Sequence, residues 1–115
     1  MEETKLLSKS EEVVMKAIWD LSEAPNSMVL ESVLLVDLRE HLEKKYNKPY
    51  ARTTVVTFLK RMEEKGMVTT YHKGRLGYVL PQHSRKEYLN AQVSRMVSFW
   101  YGGCKDKLIQ QLEEI

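Results

Sequence analysis

The segment RTTVVTFLKRMEEKG, residues 52–66, decides the fold class of this chain. On a wheel of about 100° per residue its apolar residues recur at the i, i+3, i+4, i+7 spacing of a helix packed on a core. These residues are Val55, Phe58, Leu59 and Met62. The opposite side carries Thr53, Thr57, Lys60 and Glu64, with Val56 on the flank. Gly66 is placed to end the helix in the left-handed conformation. The segment predicts a helix whose outer face offers hydroxyls and cations.

Two amphipathic segments precede this helix. In LSKSEEVVMKAIWDL, residues 7–21, Ser8 and Glu11 have the spacing of a capping box, so we predict a first helix over about residues 9–22, with Trp19 as a core anchor. In ESVLLVDLREHLEKKYN, residues 31–47, a helical period predicts a second helix through Leu34, Leu35, Leu38 and Leu42. Between them Pro25 and Asn26 indicate a loop, and Met28 to Leu30 are compatible with a short strand.

The segment MVTTYHKGRLGYVLP, residues 67–81, predicts a β-hairpin. Its β-prone runs are Val68–His72 and Tyr78–Leu80, and the turn between them contains glycine. Lys73 and Arg75 lie at the tip, with His72 alongside. A basic hairpin directly after a helix–turn–helix pair is typical of a winged helix-turn-helix domain, which we assign to residues 1–82. The fold class is therefore mainly α with a small β-hairpin wing.

Residues 83–115 predict a separate helical region. SRKEYLNAQVSRMVSFWYGG and CKDKLIQQLEEI each place apolar residues at helical intervals, and Gly102 and Gly103 separate the two helices. Because these helices lie outside an already complete small domain, their apolar stripes predict a partner, most simply a second copy of the chain. The predicted dimerisation residues are Leu89, Val93, Met96, Val97, Trp100, Leu108, Ile109 and Leu112. The alternative is that both helices fold back on the first helices of the same chain.

The charge distribution favours a polyanionic partner. The 115 residues are 43% apolar, enough for one modest core, and their net charge is +2. Residues 1–43 carry four Lys/Arg against ten Asp/Glu, whereas residues 44–95 carry twelve against three, a net of +9. Such asymmetry is expected of a surface that meets nucleic acid, although a solvated basic face without a partner would look the same.

We predict that the outer face of residues 52–66 enters a DNA major groove. Thr53 and Thr57 can bond to base edges or phosphates, and Val56 can pack on a thymine methyl. Phosphate contacts supply position and much of the affinity. The candidates for phosphate contact are Lys48, Arg52, Lys60, Arg61, Lys73 and Arg75, with His72 beside the last two.

Other functional classes find little support in the sequence. It has no paired-carboxylate, nucleophile–base or glycine-rich phosphate motif, so we expect no enzyme. His41, His72 and His83 fall in separate elements and Cys104 is the lone cysteine, so we expect no metal, no cofactor and no disulfide. No apolar run approaches the roughly 20 residues of a bilayer span, and the charged start is unlike a secretory signal, so we expect a cytoplasmic protein without membrane contact.

In this order, the segments resemble the penicillinase repressor family. The resemblance is carried by LSKSEEVVMKAIWDL at 7–21, TTVVTFLKRMEEKGMV at 53–68, KGRLGYVLP at 73–81 and SRKEYLNAQVSRMVSFWYGG at 84–103. It implies a homodimeric transcriptional repressor that binds a palindromic operator in double-stranded DNA, with a regulatory protease or co-encoded sensor protein as a further partner. It also implies recognition-helix roles for Thr54, Thr57 and Arg61 and wing roles for Gly74, Arg75 and Tyr78.

Three features depart from the family pattern, one of which is that the cleavage context of the best-known members is not obvious in LIQQLEEI, residues 108–115. The stretch before the recognition helix is longer than usual, so residues 26–35 are interpreted as an insertion. The cysteine cluster of copper-responsive members is missing, so copper sensing is not expected.

Two other functions fit the same surface. One is a winged-helix module that binds a protein through the same stripe, and the other is a DNA-binding protein that is indifferent to sequence.

Overall fold

The computed structural model describes residues 6–23 and 30–115, which form five helices and three strands. The chain divides into two compact units, Met1–Ser84 and Arg85–Ile115. The first unit contains helices α1, α2 and α3 and strands β1, β2 and β3, and the second contains helices α4 and α5. The described residues are thus mainly helical with a small antiparallel sheet, as the sequence predicts.

Helix α1, Lys9–Ser22, begins at the predicted capping box. The Ser8 amide donates to Glu11 Oε1 at 2.9 Å, and the Glu11 amide donates to Ser8 Oγ at 3.2 Å. Val14 and Ile18 are fully buried, and Trp19 is nearly so. The Trp19 indole donates to the carbonyl oxygen of His83 at 2.9 Å, so this side chain joins the core to the end of the first unit. Both the helix and the role of Trp19 as a core anchor are confirmed.

The second helix starts later than the sequence suggests. Helix α2 is Leu35–Tyr46, and the prediction that Leu34 belongs to it is wrong. Val33 and Leu34 form strand β1, Val33–Leu34, which pairs with Val79 and Tyr78. In the run VLLV helical and strand periods coincide, and pairing with a distant strand decides between them. Of the residues proposed for a short strand, Met28 and Val29 lie outside the described residues and Leu30 is not in a strand. Pro25 and Asn26 also lie outside them.

The hairpin forms as predicted, and both of its strands are longer than the runs predicted from the sequence. Strand β2, Val68–Lys73, pairs antiparallel with strand β3, Leu76–Pro81, which leaves only Gly74 and Arg75 in the turn. Gly74 has φ +61°, as in hairpin turns that favour glycine at their first central position. Strand β1 pairs with the other edge of β3, so the strand order is β1-β3-β2.

Helix α3, Arg52–Glu64, ends in a motif that returns the chain to the sheet. Gly66 has φ +76°, its amide donates to the Glu63 carbonyl, and the Met67 amide donates to the Met62 carbonyl. This is the Schellman arrangement, and Met62 and Met67, the two positions between which an apolar contact often accompanies it, are both buried. The predicted helix end at Gly66 is confirmed.

The core of the first unit lies between the three helices and the sheet. Its fully buried side chains come from every layer, so the unit has one continuous hydrophobic core. They include Met15, Ile18, Leu38, Leu42, Val55, Met62, Met67 and Val79.

A buried carboxylate joins the start of α1 to the end of α3. The side chain of Glu11 is only 2% exposed, and Lys65 Nζ donates to its Oε1 at 2.6 Å. Burial raises the pKa of Glu11, but the Lys65 ammonium and the Ser8 amide together lower the pKa by more, so it lies below its ordinary value of 4.5. Glu11 therefore stays ionised in the folded protein at neutral pH.

A second carboxylate holds α2 against the last turns of α1. Asp20 Oδ2 accepts hydrogen bonds from Tyr46 Oη at 2.6 Å and from Lys45 Nζ at 3.0 Å, and it lies 3.0 Å from His41 Nε2. The side chain of Asp20 is mostly buried, so these contacts fix the two helices at their ends.

The second unit contains α4, Arg85–Tyr101, and α5, Lys105–Glu113. Gly102 and Gly103 have φ of +58° and +84°, and the Gly103 amide donates to the Val97 carbonyl at 3.0 Å. These left-handed residues reverse the chain between the helices. Within residues 6–23 and 30–115, no helix combines the length and the hydropathy of a membrane-spanning segment.

Candidate nucleic-acid interface

The outer face of α3 is open to solvent along its length. Val55, Leu59 and Met62 point into the core, as the wheel predicts, whereas Phe58 is only half-buried. The Val56 side chain is 46% exposed, so it belongs to the outer face and not to the buried stripe. The other exposed candidates on this helix are Arg52, Thr53, Thr57, Lys60 and Arg61, and Thr54 is half-buried.

The first turn of α3 is suited to an anion. Ala51 at the N-cap provides no side-chain hydrogen bond, and the first turn contains no acidic residue. The leading amides of a helix lack internal partners, and the helix dipole places partial positive charge there. Exposed Arg52 adds a full charge at the same point. The first turn can therefore receive a DNA phosphate.

Thr57 has a constrained hydroxyl group. Its Oγ1 donates to the backbone carbonyl of Thr53 at 2.9 Å, one turn earlier in α3. With the proton occupied, the exposed oxygen keeps its lone pairs and acts as a hydrogen-bond acceptor. Thr57 can thus accept a hydrogen bond from an amino group on a base edge.

The loop before α3 is held on both sides. Asn47 adopts the left-handed conformation with φ +54° and ends α2. The Tyr50 ring then packs edge-on against Phe58 with centroids 5.3 Å apart, and Arg39 Nε donates to the Tyr50 carbonyl at 3.4 Å. These contacts fix the end of the loop at Tyr50, and the exposed Lys48 lies two residues before it.

The hairpin provides a second basic surface. His72, Lys73 and Arg75 are all exposed around the two-residue turn. Lys73 Nζ lies 6.0 Å from the centroid of the Tyr78 ring, at the outer limit of a cation–π contact. The exposed basic tip can therefore contact an anion such as a phosphate.

A carboxylate bridge joins the hairpin to α3. Glu63 Oε1 accepts from Thr70 Oγ1 at 2.9 Å, and Glu63 Oε2 accepts from the Thr70 amide at 3.4 Å. Because β2 follows α3 directly, this bridge and the turn at Gly66 together fix the position of the hairpin relative to α3.

A half-open groove of about 470 Å³ lies between α3 and the hairpin. Three basic side chains predicted for the DNA surface, those of Arg52, Lys60 and His72, line this groove, with Val56 beside them. The remaining lining residues are Leu35, Leu59, Glu63, Thr70, Tyr71, Gly77 and Tyr78. Lys48, Lys73, Arg75 and Arg61 are not among the residues that line this groove.

Tyr71 also belongs to this surface, although it was not among the residues predicted from the sequence. The register pairs Tyr71 with Tyr78, and their rings stack with centroids 5.2 Å apart and planes 8° from parallel. The sequence contains enough information to find this pair. Counting outward along both strands from a turn centred on Gly74 and Arg75 places these two residues opposite each other.

The predicted dimerisation residues are mostly exposed in the single chain. Leu89, Val93, Met96, Trp100, Ile109 and Leu112 are exposed, Leu108 is half-buried and Val97 is buried. Phe99, which was not among the predicted dimerisation residues, is also exposed, at 75%. Its ring packs edge-on against Trp100 with centroids 4.8 Å apart. Side chains of this size are rarely left in water without a partner.

The family model described as penicillinase repressor matches residues 7–114, nearly the whole chain. No curated protein matches the chain.

Proposed function

Since the chain belongs to the penicillinase repressor family, whose members are DNA-binding transcriptional repressors and not enzymes, we propose that it represses transcription as a homodimer on a palindromic operator. The observation that carries this proposal is the open outer face of α3, which combines an anion-compatible first turn with Thr57, Val56 and Lys60.

In the proposed complex, α3 lies in the major groove and its first turn faces a phosphate. Thr53, Val56 and Thr57 contact base edges, because acceptors and small apolar groups distinguish base pairs there. Arg52, Lys60 and Arg61 contact the backbone from the helix, Lys48 from the preceding loop, and the hairpin tip from the far side. Thr54 is half-buried, so it supports the helix more than it reads sequence.

Residues 83–115 form the proposed dimerisation region. A twofold interface uses the same surface on both protomers, which suits the exposed apolar side chains of α4 and α5. Pairing sets a fixed distance between two α3 helices, so it selects half-sites about one helical turn apart.

Loss of the dimer is the proposed route to derepression. A single half-site binds weakly, so separating the protomers removes the gain from simultaneous binding. A regulatory protease or sensor protein that acts on the helical region would release the operator in this way.

Fluorescence anisotropy with a duplex from the protein's own promoter tests the proposal. We expect binding in the nanomolar range that weakens steeply with salt, and much weaker binding to a shuffled duplex of equal length. Equal affinity for both duplexes would instead indicate a DNA-binding protein that is indifferent to sequence.

Charge reversal separates DNA binding from docking of a protein. We expect Lys60→Glu, Lys73→Glu and Arg75→Glu each to weaken binding to both duplexes, because phosphate contacts carry no sequence information. Lys105→Glu, an exposed position on α5, is the matched control and is expected to retain affinity. Full retention of DNA binding by all three test variants would contradict the proposed surface.

A further inference from the structure

The groove between α3 and the hairpin has the size of a small-molecule site. Its volume of about 470 Å³ falls within the roughly 300–1,000 Å³ typical of ligand pockets. Leu35 and Leu59 supply apolar lining, and Gly77 provides no side chain. A Cβ at Gly77 would lie 3.6 Å from His72 Nε2 and 3.7 Å from Leu35 Cδ2, so a glycine here leaves room in the lining.

One wall of the groove is aromatic and fixed in position. Tyr71 and Tyr78 stack nearly parallel on neighbouring strands. The Tyr71 hydroxyl is hydrogen-bonded to Ser32 Oγ at 2.6 Å, which restrains its ring. Val56 lines the same groove from α3. A flat ring that enters the groove would meet aromatic and aliphatic surface, the composition that favours aromatic ligands.

The charges around the groove favour an anion. Arg52 and Lys60 contribute permanent positive charges, and His72 adds a ring nitrogen that can donate. Glu63 is the one carboxylate among the lining residues, and both of its oxygens accept hydrogen bonds from Thr70. An aromatic ring that carries a carboxylate would satisfy the apolar wall and the two cations together.

We propose that this groove binds a small aromatic carboxylate, and that its occupancy excludes DNA. The exclusion of DNA rests on the proposed function, because Arg52, Val56, Lys60 and His72 belong both to this groove and to the proposed DNA-binding surface. A bound carboxylate neutralises the cations and covers the apolar side chain that the operator needs. The groove would thereby couple a metabolite concentration to repression without dissociating the dimer.

Calorimetric titration without DNA tests the site itself. The probes are benzoate, 1-naphthoate and the neutral analogue 1-naphthalenemethanol. We expect 1-naphthoate to bind at least about tenfold more tightly than the alcohol, since one charge-assisted hydrogen bond is worth about that much. Failure of both carboxylates to bind, or equal affinity for the alcohol, would overturn the proposal.

Substitutions on α3 test whether 1-naphthoate binds in the groove. Lys60→Met removes one groove cation and Val56→Phe fills the groove, so each is expected to weaken 1-naphthoate binding at least about tenfold. Arg61→Met removes the same charge from the next position of α3, outside the groove lining, and should leave 1-naphthoate affinity unchanged. In the wild-type protein, where folding of a variant is not in question, 1-naphthoate should shift the NMR amide signals of Thr70, His72 and Gly77. Shifts confined to α4 and α5 would overturn the site.

Competition tests the exclusion of DNA. Saturating 1-naphthoate should displace the operator with an inhibition constant equal to its own dissociation constant, whereas the alcohol should not. Unchanged operator affinity in saturating 1-naphthoate would overturn the exclusion. If the protein binds no operator at all, the proposed function fails, and the titration without DNA still decides whether the groove is a site.

Discussion

Glu11 shows how one side chain can serve several parts of the fold. Its carboxylate accepts from the Ser8 amide in the capping box and from Lys65 beyond the end of α3, while it is almost completely buried. A buried charge is tolerated only when it is paired and hydrogen-bonded. The stability of the first unit therefore depends on the ionisation of this carboxylate.

Glu11→Gln is expected to destabilise the protein by roughly 1–3 kcal/mol at pH 7, because the variant loses the charge that Lys65 faces. The folded state lowers the pKa of Glu11 below its ordinary 4.5. The stabilisation that the ionised Glu11 provides is therefore complete above pH 4.5, and it is lost as pH falls through the folded-state pKa. Urea denaturation of both proteins at neutral and acidic pH measures the difference.

Glu12→Gln is the matched control, because the neighbouring side chain is exposed. It should leave the free energy of unfolding at pH 7 within about 0.5 kcal/mol of the wild type. A difference between wild type and Glu11→Gln that persists unchanged in acid would contradict the role assigned to the charge.

Thr57→Val tests the acceptor role of the hydroxyl oxygen. Valine keeps the shape and a methyl group, so we expect affinity for the operator to fall about three- to tenfold, the value of one hydrogen bond, with little change for a shuffled duplex. Thr69→Val, an exposed position on β2, is the control. Anisotropy titrations measure the affinity of both variants for both duplexes. An equal loss of Thr57→Val affinity on the two duplexes would assign Thr57 to contacts with the DNA backbone.

At the scale of elements, the placement of the wing depends on how α3 ends. Gly66 takes the left-handed conformation, and the chain passes through Met67 directly into β2. The Glu63–Thr70 bridge then ties the strand back to the helix. A change at this turn is therefore expected to affect both stability and the angle between the two elements proposed to contact DNA.

Gly66→Ala should cost about 1–2 kcal/mol, because a Cβ is disfavoured at positive φ even where the surrounding space is open. Gly77→Ala is the matched control: φ is not positive there and the added Cβ meets only ordinary contacts, so stability should change little. Thermal denaturation followed by circular dichroism measures both. Equal destabilisation by the two variants would contradict this explanation.

The helices and strands differ in how well they could be predicted from the sequence. Capping residues, helical periods and the glycine turn are local signals, so α1, α3 and the hairpin follow from the sequence. Strand β1 does not, because Val33 and Leu34 become a strand only by pairing with Val79 and Tyr78, more than forty residues later. The groove was missed for the same reason, since its walls come from α3 and two strands brought together by tertiary contacts.

At the scale of the whole molecule, the exposed side chains of α4 and α5 carry the proposed assembly. Leu89, Val93, Met96 and Trp100 follow a helical spacing on α4, and all are at least 42% exposed. The sequence predicted this stripe, whereas it could not show that Phe99 would be exposed beside it.

The double variant Val93→Glu/Trp100→Glu is expected to be monomeric, because four carboxylates would face one another across a twofold interface. Operator affinity should then fall at least about a hundredfold, as the benefit of linked half-sites is lost. Analytical ultracentrifugation and anisotropy measure the two effects. Ser98→Glu, an exposed position on the same helix, is the control. A variant that remains dimeric would place the interface elsewhere.

The short strand β1 has a consequence for how the protein behaves in concentrated solution. It covers Tyr78 and Val79 on one side of β3, and beyond them Pro81 has no amide hydrogen to offer. On the opposite rim, β2 ends with the exposed Lys73, and a charged side chain on an edge strand discourages the addition of a foreign strand. The sheet is therefore a poor template for cross-molecule β-pairing, which lowers the risk of amyloid-like aggregation when many copies crowd together.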